Sequence, residues 1–282
     1  MTAALLLVLL GAGECAQCHP SVAANFAQSR HAQARTLPVF ALSFRHANTP
    51  WCLSCHQPEG RGEGHTCDTC HRDANGVKNT RSTPEGAKAH PVTVDATFGA
   101  TACARCHEFT SPLPGHLDPV VLSNEALQST SSEQRSAMSG ATCVTCHDPH
   151  RAPGAHDASM LARAISVKAK AADGGVEFEV IVGKTGHRFP TGDPFRRLVL
   201  STCEDKECTQ TIARRSFSRS MGLSGGVWTT VRDTTLASGE RKTISLEGGR
   251  FWSARYFFGD PQFERGLATE EVFVEVAGGL VE

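Results

Sequence analysis

The C-terminal part of the chain alternates apolar and polar residues, which is the pattern of β-strands with one buried face. In ISVKAKAADGGVEFEVIVG (165–183), two alternating runs flank Asp-Gly-Gly, as they do in a β-hairpin. Similar runs, separated by Gly, Pro or Asp, follow at RRLVLSTC (196–203), QTIARRSF (210–217), RKTISLEG (241–248), RFWSARYFF (250–258) and EEVFVEVAG (270–278). We therefore expect an antiparallel β-sandwich over residues 161–282.

Residues 14–160 differ, because they are rich in Gly, Pro, Ser and Thr and show little sustained periodicity. Two helices are predicted there, at 21–34 and at 123–138. A segment of this composition buries too few side chains to fold by itself. The pattern thus predicts a multidomain chain, in which a loop-rich region with short α-helices precedes the sandwich and needs another source of core.

Residues 1–13 contain a short apolar run, Ala3–Leu10, followed by small residues. The run is too short to cross a bilayer as a helix, and it resembles the apolar core of a secretory signal. It departs from that pattern because no Lys or Arg precedes it. We expect residues 1–13 to be a signal-like segment of an exported protein, and the alternative is a frayed apolar N terminus.

The amino-acid composition limits the classes of partner and cofactor to be expected. The formal net charge of −1 gives no reason to expect nucleic acid or an anionic membrane as a partner. Twelve Cys and thirteen His in 282 residues, however, point to metal, cofactor or disulfide chemistry.

The motif C-x-x-C-H occurs five times, and every C-x-x-C in the chain is followed by His. Two intervening residues let both sulfurs reach one edge of a porphyrin, and the next imidazole can then ligate the iron. Zinc would pair two C-x-x-C units around one ion without a His after each, and a redox dithiol would be expected once. We therefore expect five covalently attached haem c groups, with thioether bonds from Cys15, Cys18, Cys52, Cys55, Cys67, Cys70, Cys103, Cys106, Cys143 and Cys146. The iron ligands in the motifs would be His19, His56, His71, His107 and His147.

Five haems would give residues 14–160 the core that their side chains lack, so the predicted region is haem-cored. Export agrees with this prediction, because haem c is attached outside the cytoplasm. The two remaining cysteines, Cys203 and Cys208, flank Glu-Asp-Lys-Glu, which reads as a hairpin turn. In an oxidising compartment we expect them to form a cross-strand disulfide, and two free thiols are the alternative.

A six-coordinate haem also needs a ligand on its far face, so five haems need at most five such ligands. Eight histidines lie outside the motifs: His31, His46, His65, His90, His116, His150, His156 and His187. Internal methionines are few, namely Met138, Met160 and Met221, so bis-histidine ligation is favoured, and it implies lower potentials than His/Met ligation. His65 lies two residues before Cys67 and is therefore a weak candidate ligand for the haem of that motif. His46 and His116 are further candidates for far-face ligands.

The segment CAQCHPSVAANFAQSRHAQA resembles the opening of the cytochrome c-554-like multihaem cytochromes. The segment from ALQSTSSEQRSAM through the fifth motif, with GHRFPTGDPFRRL after it, resembles exported multihaem cytochromes that end in a β-sandwich. This resemblance implies five far-face ligands, which are His31, His90, His150, His156 and His187.

These observations favour a pentahaem c-type cytochrome that carries electrons between redox partner proteins in the periplasm or outside the cell, with no catalytic residue and no integral membrane span. The alternative is a multihaem oxidoreductase that acts on a small nitrogen or sulfur compound at one open haem. Against this alternative, the chain lacks the C-x-x-C-K motif that a resemblance to the nitrite reductases would usually bring. Its only tyrosine, Tyr256, lies far along the predicted sandwich, whereas the catalytic haem of the hydroxylamine oxidoreductases carries a tyrosine cross-link. A third hypothesis makes the sandwich a docking or assembly module. Asp173, Asp193 and Asp260 adjoin Gly or Pro and are interpreted as turn residues.

Overall fold

The computed structural model of the chain describes residues 14–47, 50–82, 90–110, 122–123, 129–138, 140–225 and 227–281. The signal-like segment, His116 and the side chain of His46 lie outside this part. The helices are α1 (Cys15–Cys18), α2 (Pro20–Ala27), α3 (Pro38–Ala47), α4 (Leu53–His56), α5 (Cys67–His71), α6 (Phe98–His107), α7 (Thr130–Ala137), α8 (Cys143–Cys146), α9 (Ala158–Ala164) and α10 (Thr269–Val272). Short 3₁₀ turns lie at Pro50–Cys52 and Pro261–Gly266.

The strands are β1 (Arg72–Asp73), β2 (Gly76–Asn79), β3 (Val92–Val94), β4 (Leu122–Ser123), β5 (Ile165–Ala172), β6 (Gly175–Val182), β7 (Arg197–Cys203), β8 (Thr211–Ser224), β9 (Val227–Asp233), β10 (Arg241–Glu247), β11 (Phe251–Phe257) and β12 (Phe273–Leu280). The prediction of short helices followed by antiparallel sheets is confirmed.

The chain forms two compact units, and each unit is made of two segments. The first unit contains the residues up to His107 and the segment Gly140–Pro153; the second contains Glu108–Ser139 and Gly154–Glu282. The second unit therefore includes the described residues of 108–138 and also 154–160, which the sequence analysis placed with the haem region. The boundary at residue 161 stays a prediction about folding units.

The first unit consists of short helices around a small sheet of order β1-β2-β3. Strands β1 and β2 form an antiparallel hairpin, and β3 pairs with β2 in parallel. The helix predicted over 21–34 is shorter, because α2 ends at Ala27. Buried Ser29 lies in the turn that follows, where its Oγ accepts a hydrogen bond from the amide of Ala32 at 3.1 Å. Serine side chains that bond nearby backbone favour turns over continued helix.

The second unit contains two sheets, of order β10-β6-β5 and β12-β11-β7-β8-β9-β4. Neighbouring strands are antiparallel except β4 and β9, which pair in parallel. The predicted hairpin at Asp-Gly-Gly is present, since Ala172 pairs with Gly175 and Gly174 takes a φ of +76°. The helix predicted over 123–138 is shorter at its start, because Ser123 belongs to β4 and α7 begins at Thr130.

The core of the second unit follows the alternation of its strands. Every second residue of β6 is buried, and these are Val176, Phe178, Val180 and Val182. They form one cluster with buried residues of the six-stranded sheet, among them Leu198, Leu200, Phe217 and Tyr256. Full burial of each large apolar side chain stabilises the folded chain by roughly 1.5–3 kcal/mol.

Cys203 ends β7, whereas Cys208 lies in the connection to β8 with a φ of +55°. The turn is therefore longer than the predicted Glu-Asp-Lys-Glu hairpin, and Cys208 does not lie on a strand. The two sulfur atoms are at disulfide distance. Within the described part of the chain, none of the helices has the length and apolar character needed to cross a bilayer.

Candidate metal centres

Each C-x-x-C-H motif forms a single helical turn that places both cysteines on one face. The first, third and fifth motifs form α1, α5 and α8. The second begins in the 3₁₀ turn Pro50–Cys52 and continues into α4, and the fourth ends α6. Residues three apart are neighbours on a helix surface, so the two sulfurs of each motif lie side by side with the imidazole at the end of the turn. The cysteines are partly buried, apart from Cys18 and Cys146, which are exposed. This arrangement matches the donor set of a covalently attached porphyrin.

Two of these turns share a side-chain cap at the start of the helix. In T-C-x-T-C-H, the Oγ1 of Thr69 accepts from the amide of Thr66 at 2.9 Å, and the Oγ1 of Thr145 accepts from the amide of Thr142 at 3.2 Å. Each bond is one half of a capping box and satisfies the amide of the threonine that precedes the helix. The spacing T-x-x-T was the available signal, and it explains why such short helices form locally.

Three motif histidines have their ring orientation set by the backbone. The Nδ1 atoms of His56, His71 and His147 lie 3.1, 3.0 and 2.8 Å from the carbonyl oxygens of Ala34, Lys78 and Pro153. A carbonyl only accepts, so each Nδ1 is the protonated donor and each Nε2 carries the lone pair. Metal-ligating histidines are commonly held in this way.

Three pairs of imidazoles lie at closely similar separations in the first unit. The ring centroids are 6.3 Å apart for His19 and His90, 6.1 Å for His107 and His31, and 6.2 Å for His71 and His150. A metal held between two imidazoles, each bound through nitrogen at about 2 Å, puts the centroids about 6 Å apart. Each pair joins one motif histidine to one histidine predicted as a far-face ligand, so these residues fit the group that the motifs imply.

Burial keeps two of the predicted far-face ligands neutral. Burial, followed by the neighbouring His107, His65 and His56, lowers the pKa of His31 to about 3. Burial and then His71 also lower the pKa of His150, against the opposing effect of Asp148. Neutral imidazole is the form that binds metal.

The five motifs are contiguous in the first unit. The side chain of Cys55 lies beside that of Cys106, Cys143 beside Cys103 and Cys15 beside Cys67, which brings the second motif to the fourth, the fifth to the fourth and the first to the third. The contact with Cys55 and burial both raise the pKa of the Cys106 thiol, whereas the same contact lowers the pKa of Cys55.

Contacts of other kinds agree with this adjacency. Arg105 in the fourth motif donates to the carbonyl of Thr69 in the third at 3.0 Å. Val144 in the fifth motif lies against Gly99 of α6, where an added Cβ would be 3.2 Å from a Val144 methyl carbon. Residues of the second, third and fourth motifs also line a cavity of about 440 Å³ that reaches Cys106. Among the described residues, no group of three or more His, Cys, Asp or Glu is arranged to hold a bare metal ion.

The other two predicted ligands lie in the second unit. The ring of His156 stacks on Phe258, with centroids 3.5 Å apart and planes inclined by 13°. The Nδ1 of His187 lies 2.9 Å from the carbonyl oxygen of Arg188, in a loop held by two backbone hydrogen bonds between Phe189 and Leu236. Their assignment as iron ligands stays a prediction.

No family model and no curated protein matches the chain. Among solved structures, the chain is similar to a penta-heme cytochrome c552 from Thermochromatium tepidum, with 20% sequence identity and a TM-score of 0.69. The match covers 94% of this chain and 96% of that one. At this level of identity the similarity shows a shared fold, and the resemblance to multihaem cytochromes is confirmed at that level.

Proposed function

We propose that the chain is a pentahaem c-type cytochrome that carries electrons between redox partner proteins outside the cytoplasm. The observation that carries this proposal is the set of three imidazole pairs near 6 Å, each beside a C-x-x-C turn. The cytochrome whose fold the chain shares is itself penta-heme, which supports the count of five.

The residues divide the work of holding the cofactor. The ten motif cysteines would form the thioether bonds, and the five motif histidines would bind iron. His90, His150 and His31 would bind the opposite faces at the first, third and fourth motifs. When bound, haem c supplies one-electron redox chemistry at a potential set by its ligands and surroundings.

Contiguity favours an electron carrier over an enzyme with one separate active site. Cysteines of different motifs lie side by side, which supports short distances between the proposed attachment points. Histidine on both sides of each iron would saturate coordination and exclude small substrates. The haem groups would also supply the core of the first unit.

Mass spectrometry and electron paramagnetic resonance (EPR) test the proposal together. The denatured mature chain should carry five haem additions and should begin after the signal-like segment 1–13. In untreated protein Cys203 and Cys208 should resist alkylation, because we propose that they form a disulfide in an oxidising compartment. Four or fewer additions in fully matured protein would contradict the count.

Single alanine variants of His31, His90 and His150 test the ligand assignment. Each should keep all five attachments and convert one low-spin iron to high spin, since only the far-face ligand is lost. The same measurement on His156→Ala and His187→Ala tests the two assignments in the second unit. A parent protein with a high-spin iron would instead support an oxidoreductase that acts on a small nitrogen or sulfur compound.

A further inference from the structure

His65 belongs to none of the proposed iron sites, yet its backbone and neighbours lie directly against His31. The amide of His65 donates to the carbonyl of His31 at 2.9 Å. The amide of Arg35 donates to the carbonyl of Glu63 at 2.8 Å. Residues 63–65 therefore run alongside residues 31–35, joined by a hydrogen bond at each end.

Gly64 lies in the middle of this contact and is buried. A Cβ at that position would lie 2.4 Å from both the amide nitrogen of Ala34 and the carbonyl oxygen of His31. Both atoms belong to the backbone and cannot turn aside as the end of a flexible side chain could. Only glycine allows the two segments to approach so closely, and this approach brings the ring of His65 onto that of His31.

The side chain of His65 is held at both its face and its edge. Its ring stacks on the ring of His31, with centroids 5.1 Å apart and planes inclined by only 8°. Its Nε2 hydrogen-bonds the carbonyl oxygen of Cys55, which can only accept, so Nε2 carries the proton. The nitrogen that would reach a metal is thus occupied, and the ring is tied to the backbone of the second motif.

We infer that His65 is a positioning residue that sets the ring plane of His31, and through it the ligand geometry at the fourth motif. The inference rests on the proposed function, because a ring plane affects an iron only if His31 binds one. Groups that hold the ligands of a metal commonly change metal affinity by about 10–100-fold when they are removed.

The angle between ligand planes gives a direct readout. The rings of His31 and His107 are inclined by 68°, whereas those of His71 and His150 are inclined by 14°. Nearly perpendicular imidazoles leave two iron d orbitals close in energy, which produces a low-spin EPR signal with a large maximum g value. Nearly parallel imidazoles separate those orbitals and produce a rhombic signal. The His71–His150 site should therefore be distinguishable from the His31–His107 site in one spectrum. The rings of His19 and His90, inclined by 63°, should also give a large-g signal, and the variant His31→Ala tells the two large-g signals apart.

The experiment compares two variants of His65 in the full haem-loaded protein. The large-g signal of the His31–His107 site is identified first, as the signal that disappears in His31→Ala. In His65→Ala, which loses both the ring stack and the hydrogen bond, this signal should move to a different g value. The rhombic signal of the His71–His150 site serves as an internal control and should stay in place. His65→Phe keeps an aromatic face without the hydrogen bond, so it should shift the signal less and should fold if His65→Ala does not.

A matched control is available in the same loop, where the side chain of Gln57 donates to the carbonyl of Gly62 at 2.6 Å. Gln57→Ala should leave the large-g signal and its reduction potential unchanged. Cyanide should bind the His31–His107 iron about 10–100-fold more tightly in His65→Ala than in Gln57→Ala, because the competing imidazole is held less firmly.

Two results would overturn the inference. One is an unshifted large-g signal and unchanged cyanide affinity in both His65 variants. The other is a high-spin iron in His65→Ala together with fully low-spin iron in His31→Ala, which would make His65 the ligand. Failure of the proposed function differs from both, since it would appear as missing haem or as unchanged spectra in all the far-face variants.

Discussion

At the scale of single residues, Tyr256 shows what the core of the second unit does to an ionisable group. Its ring packs between Phe189 and Phe258, and Arg196 lies close enough to its hydroxyl to act on its charge. Burial raises the pKa of Tyr256 to about 12, with Asp193 acting in the same direction and Arg196 opposing it. The folded chain therefore keeps this hydroxyl neutral in a pH range where an unfolded tyrosine ionises.

This shift predicts alkaline destabilisation of the second unit. A pKa that is higher in the folded state than the ordinary value of about 10 gives full stability below pH 10. Stability should then fall between pH 10 and 12, by roughly 2–3 kcal/mol in total. Urea unfolding of the parent and of Tyr256→Phe across this range checks it, because only the parent should show the extra slope. Parallel pH profiles for the two proteins would show that Tyr256 ionises equally in both states.

At the scale of elements, the carboxylate of Glu133 joins α7 to the loop before β7 through hydrogen bonds. An oxygen of Glu133 accepts from the amide of Arg188 at 3.0 Å and from the hydroxyl of Thr191 at 2.9 Å, and its other oxygen accepts from Ser129 at 2.6 Å. No motif or spacing in the sequence indicates a role for Glu133. The loop it fastens contains His187, so α7 helps to set the position of that imidazole.

Glu133→Ala should lower the free energy of unfolding of the second unit by about 2–4 kcal/mol, because it removes charge-assisted hydrogen bonds and leaves partly buried donors without their acceptor. Glu108→Ala is the matched control. Glu108 pairs with Arg135, also on α7, at 2.7 Å, but this ion pair is largely exposed and should contribute at most about 1 kcal/mol. Denaturant unfolding followed by circular dichroism compares the two, and equal losses would show that the Glu133 contacts carry no special weight.

Local elements could be predicted from sequence more fully than contacts between them. The five C-x-x-C-H turns and the hairpin at Gly174 depend on residues within a few positions of each other, so the local sequence is enough to predict them. The end of α2 depends on a turn built around buried Ser29, which hydrophobic spacing does not reveal. The sequence position of His65 relates it only to the motif that follows it, whereas its contacts in the fold are with Cys55 and His31.

At the scale of the whole molecule, the two units differ in how they are filled. Among the described residues, the buried apolar side chains of the first unit are Ala16, Ala23, Ala34 and Phe98. The second unit contains one large apolar cluster drawn from both of its sheets. The first unit should therefore depend on its cofactors for folding, while the second should not.

Production of the chain without haem attachment tests this difference. Hydrogen exchange measured by mass spectrometry should show rapid exchange over residues 14–107 and continued protection of strands such as β6, β7 and β11, because the second unit keeps its apolar core. Protection of 129–138 and 154–160 in the same sample would place them in the second folding unit. Strong protection of residues 14–107 without haem would contradict the expected dependence.

The three imidazole pairs also determine whether each motif of the first unit could form its site independently of the others. They join residue 19 to 90, 31 to 107 and 71 to 150, so each pair encloses part of the next. A chain break between residues 71 and 90 would separate all three pairs at once. The motifs follow one another along the chain, but the histidines that pair with them come from other parts of the sequence, so the pairs overlap. For an engineer, or for evolution by gene duplication, a segment that carries one motif can therefore also carry the partner of another: removing residues 14–47 would take away the first motif and also His31, the proposed partner of His107.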